Sequence, residues 1–283
     1  MLHIRQLSDL HLEFYYDLYE GQGSRAREEI ARLLPPLPTD KKTVLIVAGD
    51  LATAHKAGRI VTFFELVVPR FKHVVYVLGN HEHYGCNLHE SEAIIRHELS
   101  QRIDMRKMSI MGNTPASVVV KGVAFIGGTL WTDYMGGDYR AMTMAARFMR
   151  DHSVIGSNVG KGDTFQPEEA FRIHVESVAK IREIAGELSD HPIVIVSHHL
   201  PSFDCVDEQY KTGSHEPLLN GAFASNLDAL IIELKPRYWF FGHTHTSFNG
   251  TIGDTRLICN PLGYPHERND ASSRFGKTEV YSI

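Results

Sequence analysis

Residues 73–83 read HVVYVLGNHEH. Val74 to Leu78 is an unbroken apolar run rich in β-branched and aromatic side chains, which argues for a buried strand. Gly79, Asn80, His81 and Glu82 follow with no linker, so groups able to bind metals or move protons stand on the end of that strand. The arrangement recurs at four other places. Leu2–Leu7 leads into Asp9 and His11, and Val44–Ala48 into Gly49 and Asp50. Ile193–Ser197 leads into His198 and His199, and Tyr238–Phe241 into Gly242, His243 and His245. A sheet fixes its strand ends. Five of them on one rim would hold nitrogen and oxygen donors in a set geometry, as a pair of divalent cations requires.

Segments with helical spacing separate these strands: Ser24–Leu34, Arg59–Pro69 and Leu88–Arg102, then Pro167–Leu188 and Ser225–Leu234. Pro167 suits a first helical turn, and Glu168 and Glu169 sit near the positive end of the helix dipole. Alternation of strand and helix predicts parallel βαβ pairing. Ser117–Lys121 and Ala124–Gly127, joined at Lys121-Gly122, predict a hairpin. With the late strands Arg256–Cys259 and Thr278–Ser282, they point to a mixed sheet or a second sheet packed on the first. No repeat or low-complexity linker divides the chain, so a single domain over residues 1–283 is expected. Asp133–Asp163 and Ser202–Gly221 read as insertions, and long loops of that kind serve as lids or binding surfaces.

With 43% hydrophobic and 22% charged residues the chain has material for a core and no signature of disorder. A net charge of −5 gives no global attraction for nucleic acid or anionic membranes. A nucleic-acid partner would need a local basic patch and is not favoured. Cys86, Cys205 and Cys259 are far apart and form no CxxC pair, which excludes a zinc knuckle or disulfide framework. No apolar stretch approaches the ~18 residues of a membrane span. The chain enters its first strand at once, and a cleaved leader would remove Asp9. A cytoplasmic location is expected.

The donors are mixed nitrogen and oxygen with no sulfur, a set that suits Mn²⁺, Fe or Zn²⁺ better than Ca²⁺. Asp50 has two carboxylate oxygens and can bridge two cations. In order and residue type, the DxH, GD, GNHE, H and GHTH clusters resemble the calcineurin-like metallophosphoesterase superfamily, from Asp9 to His245. That resemblance implies an α/β fold, a four-layer αββα sandwich of two mixed β-sheets flanked by helices. It implies that Asp9, His11, Asp50 and His245 hold one ion, and that Asp50, Asn80, His198 and His243 hold the other. It further implies hydrolysis of phosphodiester or nucleotide-type phosphomonoester bonds by metal-activated hydroxide, with His81 protonating the leaving group. The protein-phosphatase branch carries a second aspartate in GDxVDRG that orients the catalytic histidine. Thr53 stands at that place here, so the chain looks closer to bacterial and phage enzymes, and His81 needs another partner or none.

Alternative readings are a nuclease on the same scaffold and a non-catalytic metal-binding scaffold. The first would want a basic groove, which an acidic chain without a Lys/Arg cluster does not offer. The second usually lacks ligands or the histidine, all of which are present here. Other residues carry weaker expectations. Neighbours on an extended segment face opposite ways, so only one of His198 and His199 meets the metals; resemblance selects His198 and leaves His199 as a supporting or core residue. Glu82 could hydrogen-bond a ligand histidine, and a structural role is expected over a catalytic one. His83 is expected to touch substrate or stand in solvent. Trp131 and Tyr264 could stack on a ring at the rim, although core packing is the commoner use. Arg140, Arg147 and Arg150 could reach a phosphate, although a solvated helix face is the commoner use.

Overall fold

A computed structural model describes residues 1–14, 23–157, 164–211, 217–267 and 275–283. The strands are β1 (His3–Leu7), β2 (Thr43–Ala48), β3 (His73–Val77), β4 (Met108–Met111), β5 (Ala116–Val120), β6 (Val123–Gly128), β7 (Ile193–Ser197), β8 (Tyr238–Phe241), β9 (Phe248–Ile252), β10 (Thr255–Cys259) and β11 (Tyr281–Ser282). They form two sheets, ordered β11-β1-β2-β3-β4 and β5-β6-β7-β8-β10-β9. Both are mixed. β1 to β4 pair in parallel with β11 antiparallel at the edge. β6, β7, β8 and β10 pair in parallel, with β5 and β9 antiparallel at the two edges.

The two sheets face each other across one apolar layer. Ile4, Val44, Ile46, Val75 and Val77 of the first meet Phe125, Val194, Val196, Phe240 and Ile258 of the second. Alternate residues of β2 and β3, among them Leu45, Val47, Val74 and Tyr76, point the other way. They pack against helices α1 (Gly23–Leu33), α2 (Ala57–Val67) and α3 (Leu88–Ser100). Ile195, Trp239 and Leu257 likewise turn outward, toward α5 (Pro167–Glu187) and α6 (Asp228–Leu234). The result is the expected four-layer αββα sandwich. Strands covered on both faces read as continuous apolar runs, which is why the sequence revealed them.

Lys121 and Gly122 both take positive φ, 54° and 80°, as the two central residues of a tight hairpin turn require. Of the first insertion, residues 133–157 hold helix α4 (Tyr139–Phe148) and a single turn at Asp151–Val154. Of the second, residues 202–211 and 217–221 form short turns. Residues 158–163 and 212–216 lie outside the described set. The insertions pack on each other: Leu218 of the second packs against the cluster that holds Ala141, Met142 and Ala145 of the first. Among the described residues no helix is long and apolar enough to cross a membrane.

Candidate metal centre

The C-terminal ends of β1, β2, β3, β7 and β8 open on one rim, and all seven expected donors meet there. Carboxylate oxygens and ring nitrogens of Asp9, His11, Asp50 and His245 lie within 4.8 Å of one another, and so do those of Asp50, His198 and His243. Asp50 belongs to both groups. Asn80 joins the second, its Oδ1 2.9 Å from His198 Nε2.

The backbone is shaped for this convergence. Asp9, His11, Asp50, His243 and His245 all stand at positive φ, between 47° and 71°. Side-chain-bearing residues rarely adopt that region, although Asp and His tolerate it better than most. Gly49, at φ +86°, lets two strand ends touch: an added Cβ would sit 2.1 Å from His198 Nδ1. At Gly79 it would sit 2.2 Å from Asp50 Oδ1.

Hydrogen bonding shows what the site is built to hold. His11 Nδ1 donates to Glu13 Oε1 at 3.0 Å, His245 Nδ1 to Glu267 Oε2 at 2.7 Å, and His198 Nδ1 to the Ala48 carbonyl at 2.9 Å. Carboxylates and carbonyls only accept, so each Nδ1 carries a proton and each neutral ring presents a lone pair at Nε2. Those lone pairs face other acceptors. His11 Nε2 lies 2.9 Å from His245 Nε2, and His198 Nε2 lies 3.3 Å from Asp50 Oδ1. The Asn80 amide donates through Nδ2 to Asp151 Oδ1 at 2.7 Å, which turns its oxygen toward His198. Among the described residues, His243 Nε2 is buried without a hydrogen-bond partner. Lone pair set against lone pair is repulsive; a cation between them makes the same geometry attractive. The residues fit divalent metal ions.

A proton can take the place of that cation on these rings, and the carboxylates favour it. Burial alone would raise the Asp50 carboxyl, but His198, His81 and His11 hold it well below the usual carboxylate range. Burial opposes charging His198, yet Asp50 carries that imidazole up to about 10. His243 goes well below its ordinary value, through burial and then the charge of His199 and His198.

His81 clusters with His11 and Glu13, its ring nitrogen within 4.8 Å of theirs, and joins neither of the two groups that share Asp50. Its Nδ1 donates to Glu13 Oε1 at 2.9 Å, its ring stacks on Tyr84 at 4.1 Å, and its Nε2 lies 3.0 Å from the Tyr264 hydroxyl. Against burial, the charge of Asp50 and the bond to Glu13 bring it up to about 9. Together with Asp50, Asn80, His243 and His245 it lines a cavity of about 380 Å³. The insertions build the opposite wall with Phe148, Met149, Val206 and Tyr210, and Arg150 adds a cation there.

Weaker expectations sort themselves in the structure. His198 faces the donors, whereas His199 bonds the Thr129 carbonyl and packs on Trp131. His83 neither touches substrate nor stands in solvent: it is fully buried, with Nδ1 2.5 Å from Ser91 Oγ. The helix start that follows GNHE folds its histidine back under α3. Trp131 is a core residue whose Nε1 donates to Asn113, not a rim aromatic. Tyr264 does reach the cavity, and so does Arg150. Arg140 is exposed and paired with Asp138. Arg147 lies over the Phe148 ring.

Glu82 is structural, as expected, by an unexpected route. Its carboxylate bonds no histidine; it accepts from the backbone N–H groups of Asp50, Leu51 and Gly79 and from the Tyr76 hydroxyl, at 2.7–3.0 Å. It thereby ties the ends of β2 and β3 together under Asp50. Stranding a buried donor costs about 1–3 kcal/mol. Four donors are stranded at once, so Glu82→Ala is expected to lower the unfolding free energy by at least roughly 4 kcal/mol in urea titrations.

Burial holds the His83 imidazole down to about 3, against an ordinary 6.5. The folded chain keeps it neutral where the unfolded chain takes a proton. Stability complete above about pH 6.5 is thus lost as pH falls toward 3, at a limiting slope of about 1.4 kcal/mol per unit. His83→Gln should flatten the acid limb of the metal-free protein by about one proton's worth in denaturant melts at stepped pH.

Three supporting residues escaped the sequence reading. Glu13 carried a usable signal, since D-x-H-x-E places it at the next alternate position after His11. Asp151 and Glu267 had none, because each meets its histidine or asparagine only through the fold.

A four-layer sandwich whose strand ends gather Asp, Asn and His around a shared carboxylate defines the class of metal-dependent phosphoester hydrolases. The chain belongs to the calcineurin-like phosphoesterase family (Metallophos), whose signature matches residues 2–247. An uncharacterised protein of Acanthamoeba polyphaga mimivirus is 26% identical over 280 residues, covering 94% of this chain and 93% of its own. The crystal structure of phosphopantetheinyl hydrolase from Mycobacterium tuberculosis aligns over 95% of this chain and 93% of that one, with a TM-score of 0.63 and 19% identity. At that identity the likeness is one of fold.

Proposed function

We propose that this protein hydrolyses small phosphodiesters or nucleotide-type phosphomonoesters at a dinuclear metal centre. Asp9, His11, Asp50 and His245 would hold one ion, and Asp50, Asn80, His198 and His243 the other. Manganese, iron and zinc suit the donor set. The observation that carries this reading is the sharing of Asp50 between two donor groups. Bound there, the ions would supply Lewis acidity to a phosphoryl group and lower the pKa of water.

The chain's own residues do the rest. Glu267, Glu13 and Ala48 fix three imidazoles in the tautomer that leaves Nε2 free to ligate. Asp151 keeps the Asn80 oxygen turned inward. His81 keeps a proton on Nδ1 and presents Nε2 to the cavity, in position to protonate a departing alkoxide. The apolar wall of Phe148, Met149 and Val206 receives the organic part of the ester and excludes water, while Arg150 balances phosphate charge.

Reconstitution with Mn²⁺, Ni²⁺, Fe²⁺ or Zn²⁺, followed by assay on bis-p-nitrophenyl phosphate and p-nitrophenyl phosphate, tests the reading. Turnover that tracks metal content near two ions per chain is expected. Failure of every metal on both substrates would sink it. Arg150 is exposed, so its contribution is modest: Arg150→Ala should raise KM about fivefold with kcat nearly unchanged, the pattern of uniform binding.

A further inference from the structure

One carboxylate oxygen serves two histidines with different tasks. Glu13 Oε1 accepts from His11 Nδ1 at 3.0 Å and from His81 Nδ1 at 2.9 Å. We infer that Glu13 is the positioning residue for His81, and that it locks the proton donor and a metal-facing histidine into one frame through that single oxygen.

The side chain is held for this task. Glu13 sits in the tight turn Leu12–Phe14, closed by a bond from Phe14 N to the His11 carbonyl at 3.1 Å. Buried Arg59 donates through Nη1 to the Leu12 and Glu13 carbonyls at 2.9 and 2.7 Å and pins the turn from below. Glu13 is 6% exposed, so water does not compete for its oxygens. Its Oε1 receives both Nδ1–H groups, and a carboxylate oxygen so placed acts as an acceptor only. The His81 ring is held on its face and at Nδ1, and its backbone is held as well. Tyr84 stacks on its face, Glu13 takes Nδ1, and its backbone N–H donates to Asp50 Oδ1 at 2.9 Å. Nε2, 3.0 Å from the Tyr264 hydroxyl, is the edge that meets the cavity. Thr53 does not compete for the role: its Oγ1 is buried and has no hydrogen-bond partner among the described residues.

The inference rests on His81 as proton donor, and the test separates the two. Mn²⁺-loaded wild type, Glu13→Gln, His81→Ala and the double variant are compared on a p-nitrophenyl ester and on the matching alkyl ester, whose leaving group needs a proton. Metal content is measured on each. Glu13→Gln should lower kcat/KM on the alkyl ester about 10–100-fold, the usual loss for a supporting hydrogen bond, and at least tenfold more than on the p-nitrophenyl ester. Metal content should stay near wild type, and the double variant should be no slower than His81→Ala alone. A fall in metal content with equal loss on both esters, or losses that multiply in the double variant, would overturn the inference and assign Glu13 to His11 alone. If His81→Ala itself shows no leaving-group dependence, the proton-donor reading falls with it. A further readout needs neither metal nor variant. In ¹⁵N-histidine spectra of the metal-free wild type, the His81 Nδ1–H should exchange slowly with solvent. Fast exchange there would also overturn the inference.

Discussion

Asp50→Asn is expected to abolish most of the activity, with a loss of about a thousandfold or more and a purified protein holding far less than two ions per chain. The change keeps shape and removes charge. Among the described residues Asp50 alone is common to both groups, so one substitution should weaken both ends of the proposed centre. Charge stabilisation by bound metal is worth several kcal/mol in the transition state, and each ~1.4 kcal/mol is tenfold in rate. The fold should survive. The amide oxygen of asparagine can still accept from His81 N–H, and Glu82 braces the backbone of residue 50 independently of its side chain. Elemental analysis beside the rate measurement decides the matter. A variant that keeps full metal content and full rate would show that the two groups are not bridged.

His81→Ala should produce the second-largest loss, with a different signature. His81 belongs to neither donor group that contains Asp50, so both metals should remain. The rate should fall about 10²–10⁴-fold on esters whose leaving alkoxide needs a proton, the range typical of general acid catalysis. On p-nitrophenyl esters, which leave as stable anions, the fall should be far smaller. The measurement is kcat/KM across leaving groups of graded pKa. A flat dependence in the variant that matches a flat dependence in the wild type would remove His81 from the chemistry.

The fold was readable where burial left a continuous apolar run. β2, β3, β7 and β8 are covered on both faces, and their sequences say so. β4 and β9 were not found. β4 is four residues, MSIM, two of them flexible methionines. β9 reads FNGTI, with Asn and Gly at its centre, and only its pairing with β10 makes it a strand. Thr278–Ser282 shortens to a pair of residues, Tyr281–Ser282, at a sheet edge. Helix α4 lay inside a segment read as loop, although Arg140 and Arg147 stood at helical spacing within it.

The donors were readable because each follows its strand directly, so their convergence needs only the sheets. Their supports were not. Asp151 comes from the first insertion, 71 positions from Asn80, and nothing local marks it. His83 misled for a related reason: two residues beyond a cavity histidine, a short turn rotates the chain so that the next imidazole points into the core. Proximity in sequence to a site is weak evidence once the strand has ended.

Five of the donors stand where the chain would rather place glycine. Evolution toward greater heat resistance has an easy route there, since glycine relaxes such a backbone and also removes crowded polar groups from the interior. Under the proposed function, that route dismantles the chemistry. Durability and turnover therefore pull these positions in opposite directions, and a lineage screened for robustness alone would shed its catalytic power at the rim before it lost its shape.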